Sequence, residues 1–163
     1  MKIFGIAGWK NTGKTGLVER LVTEITGRGL IVSTLKHAHH AFDIDHVGKD
    51  SYRHREAGAR EVLVASNRRW VLMHELHDAE ESTLQALLTK LDPVDLVLIE
   101  GFKQGDHPKI ETYRAATGQS LLAYGNPTIV AVASDAPLAL DRPVFALDDT
   151  GAIADFILAW RES

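Results

Sequence analysis

Gly8-Trp9-Lys10-Asn11-Thr12-Gly13-Lys14-Thr15 fits the pattern G-x-x-x-x-G-K-[ST]. Before it, Ile3, Phe4, Ile6 and Ala7 make a short apolar run; after it, Val18, Leu21, Val22 and Ile25 recur at i, i+3, i+4 and i+7. The order is strand, loop, helix, which is the context a phosphate-holding loop requires. Gly8 and Gly13 let backbone amides approach an anion, and the helix N-terminus adds the positive end of a dipole. Lys10, Asn11 and Thr12 lie inside the same cradle. The Lys14 ammonium reaches toward β and γ phosphates, and the Thr15 hydroxyl is a ligand for Mg2+.

Working outward, the first helix stops around Gly27 and Gly29, and Leu30, Ile31, Val32 and Leu35 form a second apolar run ending at Lys36 and His37. These pieces make a βαβ unit. Residues 37–50 are polar, histidine-rich and without periodicity, so they read as a long loop of the kind that serves a ligand. A short helix is expected over 51–57, and strands over 61–66 and 69–73 around Asn67 and Arg68 suggest a hairpin. Leu84, Leu87, Leu88 and Leu91 repeat at helical spacing until Pro93. Buried-type strands follow at 96–99, 109–113 and 128–133. Ile153, Phe156, Ile157 and Trp160 give a last helix its apolar face, with Asp148, Asp149 and Thr150 as caps. Strands alternating with amphipathic helices predict an α/β fold: a P-loop NTPase three-layer sandwich, mostly parallel, with an antiparallel hairpin at one side and a single domain over 1–163.

Composition narrows the chemistry. The 163 residues are 45% hydrophobic and 25% charged, as in ordinary globular chains, which argues against disorder and fibrous classes. Net charge is 18 − 22 = −4 with no basic run, so nucleic acid is not an expected partner. There is no cysteine, hence no disulfide framework, thiolate nucleophile or Cys-ligated metal. No apolar run is long enough to span a bilayer, and no charged-then-apolar start carries a cleavage site; the expected location is cytoplasmic, with no membrane contact.

A phosphate loop needs a second acidic group near its metal. In Asp95-Leu96-Val97-Leu98-Ile99-Glu100-Gly101 a carboxylate falls at the C-terminal end of a buried strand, where open α/β sheets bind ligands. Glu100 is the candidate there, for metal binding and catalysis alongside Lys14, and the Gly101 amide is placed to approach a γ phosphate. Five of the eight histidines lie between 37 and 54, among Asp43, Asp45 and Asp50. This segment reads as a nucleotide-dependent switch, as a solvated loop, or as a transition-metal site. Ser134-Asp135, at the end of the third buried-type strand, offers a carboxylate that matches the N1–H and N2–H2 donor pair of guanine; a plain turn residue is the other reading. Trp9 and Trp70 read as packing or interface residues.

Taken with Lys36-His37-Ala38-His39-His40, Asp45, Gly48-Lys49-Asp50-Ser51, Ala57-Gly58-Ala59 and Glu100-Gly101-Phe102-Lys103, the 8–15 loop resembles the MobB family over most of the chain. These are adaptor proteins of molybdopterin guanine dinucleotide biosynthesis. The resemblance implies GTP with Mg2+, weak GTPase activity, a homodimer, and partnership with the molybdenum cofactor guanylyltransferase and with molybdopterin-handling enzymes. It assigns phosphate binding to residues 8–15, sets Thr15, Asp45 and Glu100 near the metal, and Asp135 near the base. The Asn-Lys-x-Asp motif of many GTPases is missing. From the residues alone, a small-molecule kinase or a GTP-driven nickel or zinc chaperone are the rival readings.

Overall fold

The computed structural model describes residues 1–38 and 42–161; His39 and His40 of the histidine-rich segment lie outside the described residues. In chain order the elements are β1 (Lys2–Ala7), α1 (Lys14–Gly27), β2 (Val32–Lys36), α2 (Asp50–Glu56), β3 (Glu61–Ala65), β4 (Trp70–His74), α3 (Leu84–Leu88), β5 (Leu96–Glu100), β6 (Lys109–Tyr113), β7 (Ile129–Ser134), β8 (Val144–Ala146) and α4 (Thr150–Ala159). They fall into two compact units, one of residues 1–37 with 88–163 and one of residues 38–87. No helix among the described residues is long and apolar enough to cross a membrane.

The first unit is built on a six-stranded sheet in the order β2-β5-β1-β6-β7-β8, parallel throughout. This agrees with the α/β, mostly parallel fold read from the sequence. β5 is buried along its whole length, as expected of a strand covered on both faces. Register puts Phe4, Ile6, Leu96, Leu98, Ile110, Ala131 and Ala133 on one face. Leu17, Leu21 and Ile25 of α1 pack there together with Ile153, Ala154 and Ile157 of α4. Phe4 meets Phe156 and Trp160 edge to face at 6.3 and 6.4 Å. Each fully buried Leu, Ile or Phe contributes about 1.5–3 kcal/mol. The apolar period of α1 therefore fixes which way its first turn, and the loop before it, points.

A smaller cluster of Leu121, Ala123, Ile129 and Val132 is separate from this core. It exists because β7 carries a register shift between its pairings with Lys109 and Ile110. The extra residue turns Ile129 onto the face of Val132 instead of that of Ala131. α4 starts as expected from an acidic cap, with Asp149 accepting from the Ala152 amide at 3.1 Å. Two expectations change. The helix expected from Leu84 through Leu91 closes after Leu88, where Leu91 N–H turns back to the Leu88 carbonyl at 3.2 Å. β8 was not foreseen, because three residues at a sheet edge are too few to show a period.

In the second unit, β3 and β4 pair antiparallel as the expected hairpin, but as a two-stranded sheet of their own. Leu63 faces Leu72 across the pair and Ala65 faces Trp70, so Leu63, Leu72 and Trp70 share a face, and all three are exposed. Arg55 of α2 is the centre of this unit's polar structure. It reaches Asp45 at 2.6 Å, Asp43 at 3.0 Å and Glu75 at 3.0 Å. The Arg55 guanidinium holds the Asp45 carboxyl below the usual carboxylate range, chiefly by hydrogen bonding.

Candidate phosphate-binding site

The loop 8–15 leaves β1 and enters α1 through three left-handed residues: Gly8 at φ +140°, Asn11 at φ +66° and Gly13 at φ +100°. A Cβ on Gly8 would lie 2.6 Å from the Thr112 carbonyl oxygen and 2.7 Å from the hydroxyls of Thr112 and Thr12. Only glycine lets the loop tuck against β6 at this point. Beneath it, Thr12 is buried and shares a 2.7 Å hydrogen bond with Thr112. The first α1 bond runs from Leu17 N–H to the Gly13 carbonyl at 2.9 Å. The amides of Lys14, Thr15 and Gly16 thus have no acceptor within the helix, and Gly13 brings no side chain to cap them. An uncapped helix start behind a glycine-rich turn has free N–H groups and a positive dipole end that suit an anion.

Side chains add charge and a pair of oxygen donors. Thr15 Oγ1 donates to Glu100 Oε1 at 2.9 Å. Glu100, at the end of β5, is nearly buried, and Lys36 at the end of β2 approaches the same oxygen at 3.4 Å. Lys14 Nζ donates to the Trp9 carbonyl at 2.6 Å. Burial pushes the Lys14 ammonium below its ordinary pKa; Glu100 opposes that shift, and the neighbouring Lys103 and Lys36 add to it. A hydroxyl and a carboxylate side by side at a phosphate cradle form the donor set Mg2+ prefers, all oxygen and partly anionic. The fit rests on these two residues.

The first unit therefore brings together the loop 8–15, Glu100 and Gly101. Asp45 belongs to the second unit, where Arg55 takes both of its oxygens, at 2.6 and 3.3 Å. Asp135 follows β7; it is exposed, and its Oδ1 accepts from the Ala115 amide at 2.9 Å. Among the described residues no three His, Asp or Glu side chains form a metal-ligating group. Thr112, which faces the loop, was not named from the sequence, and Lys103, which also faces it, was named only within the stretch that carries the family resemblance and was given no role. Thr112 had no signal. Lys103 had one, its place three residues after Glu100.

The segment joining β5 to β6 is held from below by Lys109, which is fully buried. Its ammonium donates to the Gly105 carbonyl, to the His107 carbonyl at 2.8 Å and to Thr128 Oγ1 at 2.7 Å. Burial lowers its pKa to about 8. Among the described residues neither buried ring nitrogen of His107 has a hydrogen-bond partner; burial, then the Lys109 charge, lowers its pKa to about 4. The folded chain keeps His107 neutral where the unfolded chain, with a pKa near 6.5, binds a proton. Stability therefore falls as pH drops from about 6.5 toward 4. Replacing His107 by leucine is expected to shrink the loss of melting temperature over that window, followed by circular dichroism. Equal losses in both proteins would show that His107 is not the titrating group.

Three kinds of comparison point to one family. The family model described as "Molybdopterin guanine dinucleotide synthesis protein B" (MobB) matches residues 3–135. The chain is 40% identical, over 98% of its length and 93% of the other protein, to the molybdopterin-guanine dinucleotide biosynthesis adapter protein of Escherichia coli strain K12. It is 39% identical to the protein of the same name in Haemophilus influenzae, over 97% and 88%. Among solved structures it superposes on Bacillus subtilis MobB with a TM-score of 0.76 at 25% identity, covering 98% and 97% of the chains. With the MobB homologue of Bacillus stearothermophilus the TM-score is 0.70 at 28% identity, covering 97% and 96%. A phosphate-type loop at the start of a parallel sheet, a carboxylate beside its threonine, and matches that run nearly end to end give one conclusion: the chain belongs to the MobB family.

Proposed function

We propose that this chain is a GTP-binding adaptor with weak, Mg2+-dependent GTPase activity in molybdopterin guanine dinucleotide biosynthesis. The observation that carries the reading is the 2.9 Å hydrogen bond between Thr15 and Glu100, which joins two oxygen donors at the mouth of an uncapped helix. The word adapter in the names of the relatives supports the role. The proposed partners are the guanylyltransferase of that pathway and molybdopterin-handling enzymes, and the proposed compartment is the cytoplasm, in keeping with a chain without cysteine. The proposed assembly is a homodimer, and the exposed apolar side chains Leu63, Leu72 and Trp70 on one face of the hairpin offer a surface for it.

The chain's own residues do most of the work in this reading. The amides of Lys14, Thr15 and Gly16 receive phosphate oxygens, and Lys14 exchanges the Trp9 carbonyl for the nucleotide. Thr15 and Glu100 hold the ion, and Lys36 limits the net charge at Glu100. Held there, Mg2+ would supply Lewis-acid neutralisation of phosphate charge. The deciding experiment is calorimetry of GTP and ATP with Mg2+ present. GTP binding at least tenfold tighter than ATP is expected. Equal affinities would remove the guanine preference, and binding of neither would remove the nucleotide.

Guanine preference is proposed to rest on Asp135. One of its oxygens takes the Ala115 amide, which fixes the carboxylate plane, and each oxygen has a second lone pair to offer N1–H and N2–H2. In Asp135→Asn an amide N–H2 meets the guanine N2 donor, so GTP affinity is expected to fall at least about tenfold, since a buried unpaired donor costs about 1–3 kcal/mol. Xanthosine triphosphate carries an acceptor at that position and is expected to gain by a similar factor. Competition binding of GTP, ATP and xanthosine triphosphate reads both changes, and an unaltered GTP affinity would leave Asp135 as a turn residue only.

A further inference from the structure

Three lysines converge on the 8–15 loop, and two of them have a place in the proposed site. Lys14 belongs to the loop and Lys36 is paired with Glu100. Among the described residues no ion pair engages Lys103. Its ammonium stands over the indole of Trp9, 4.4 Å from the ring centroid, and it is near enough to Lys14 for the two cations to repel.

The arrangement is built. Directly after Glu100 the chain turns through two consecutive left-handed residues, Gly101 at φ +101° and Phe102 at φ +47°. A Cβ on Gly101 would come within 2.9 Å of the His37 Cβ, so only glycine fits. The Phe102 ring stacks on His37 with centroids 4.4 Å apart and an interplanar angle of 28°, which offsets the strain of a phenylalanine at positive φ. Beyond the turn, Asn126 Nδ2 donates to the Lys103 carbonyl at 3.1 Å, and Gly105 N–H donates to the Phe102 carbonyl at 3.0 Å. Trp9 is fixed as well, its indole N–H on the Ser120 carbonyl at 2.9 Å. The Lys103 backbone is therefore pinned on both sides of the residue, while its side-chain end rests on an aromatic face. A cation–π contact is a weaker hold than a charge-assisted hydrogen bond to phosphate.

We propose that Lys103 is a second phosphate-binding cation of this site, supplied by the turn after β5, which leaves the Trp9 ring to contact the terminal phosphate of a bound nucleoside triphosphate. The inference deepens the nucleotide reading and rests on it. The terminal phosphate is singled out because Lys103 rides on the same turn as Gly101, directly after Glu100 of the Thr15–Glu100 pair, and its ammonium is near enough to Lys14 to repel it. A cation held ready in the same chain suits a slow hydrolase, since its contact forms on binding and tightens as charge grows on the transferred group.

The test is calorimetry with Mg2+ of GDP and of the non-hydrolysable triphosphate guanosine 5′-(β,γ-imido)triphosphate, on the wild-type protein, Lys103→Met and Lys103→Arg. Thermal melts establish that the variants are folded. Lys103→Met is expected to lose about tenfold or more in triphosphate affinity while GDP stays within about twofold, and Lys103→Arg is expected to recover most of the loss. Tryptophan emission supplies a second readout: the triphosphate, and not GDP, changes the component that Trp9→Phe removes. An unchanged triphosphate affinity in Lys103→Met, or equal losses for GDP and triphosphate, overturns the inference and leaves the nucleotide reading standing. A wild-type protein that binds neither nucleotide overturns both.

Discussion

Lys14→Ala is expected to weaken GTP by at least about thirtyfold while melting at the wild-type temperature. The two halves of this result have separate causes. Removing one partner of a desolvated charge pair costs about 2–5 kcal/mol, and 2 kcal/mol is already about thirtyfold in affinity. Stability is spared because the Trp9 carbonyl, which accepts from Lys14 at 2.6 Å, also accepts from the buried Thr12 hydroxyl at 2.9 Å. No carbonyl is left without a partner. Loss of the Lys14 cation gives up its attraction to Glu100 but also relieves the cost of its burial and its repulsion with Lys103 and Lys36, so opposing contributions offset one another in the protein without nucleotide. Calorimetry and a thermal melt on the same preparation decide the matter, and an unchanged affinity at unchanged stability would end the phosphate-loop assignment.

The first unit was legible because its signals are local. The 8–15 motif, the 3.6-residue period of α1 and the apolar run before Glu100 each sit within a few residues of what they specify, and together they set the sheet, the helix and the acid at its edge. What the sequence did not show depends on pairing between distant segments. Thr112 reaches the loop only because β6 lies beside β1, with Ala7 opposite Glu111. The anchoring of the turn at Lys103 needs Asn126 and Lys109 from elsewhere in the chain. Asp45 shows the converse. The family resemblance set it near the metal; in the structure Arg55, ten residues on, takes both of its oxygens, and no spacing rule links a loop acid to the far end of a short helix.

Glu100→Gln separates holding the nucleotide from hydrolysing it. Glutamine keeps the shape and an oxygen that accepts from Thr15 Oγ1, so the cradle formed by Gly8, Gly13 and the first turn of α1 is unaltered, and GTP affinity is expected to stay within about threefold. The negative charge is what disappears. Without it Lys36 loses its partner at 3.4 Å, and the ion loses the anionic member of a two-residue donor set. Charge on the transferred phosphoryl group changes most in the transition state, where a correctly held Mg2+ contributes several kcal/mol. A loss of about 2.7 kcal/mol lowers turnover about a hundredfold at saturating Mg2+ and GTP. Phosphate formed in acid-quenched single turnovers measures this without interference from product release. The split between kcat and binding is the discriminating feature: a defect made only in the transition state lowers kcat with binding intact, whereas a defect in the cradle lowers binding first. Wild-type turnover in Glu100→Gln would remove Glu100 from the mechanism, and the Thr15–Glu100 hydrogen bond would then be no more than a tie between the start of α1 and the end of β5.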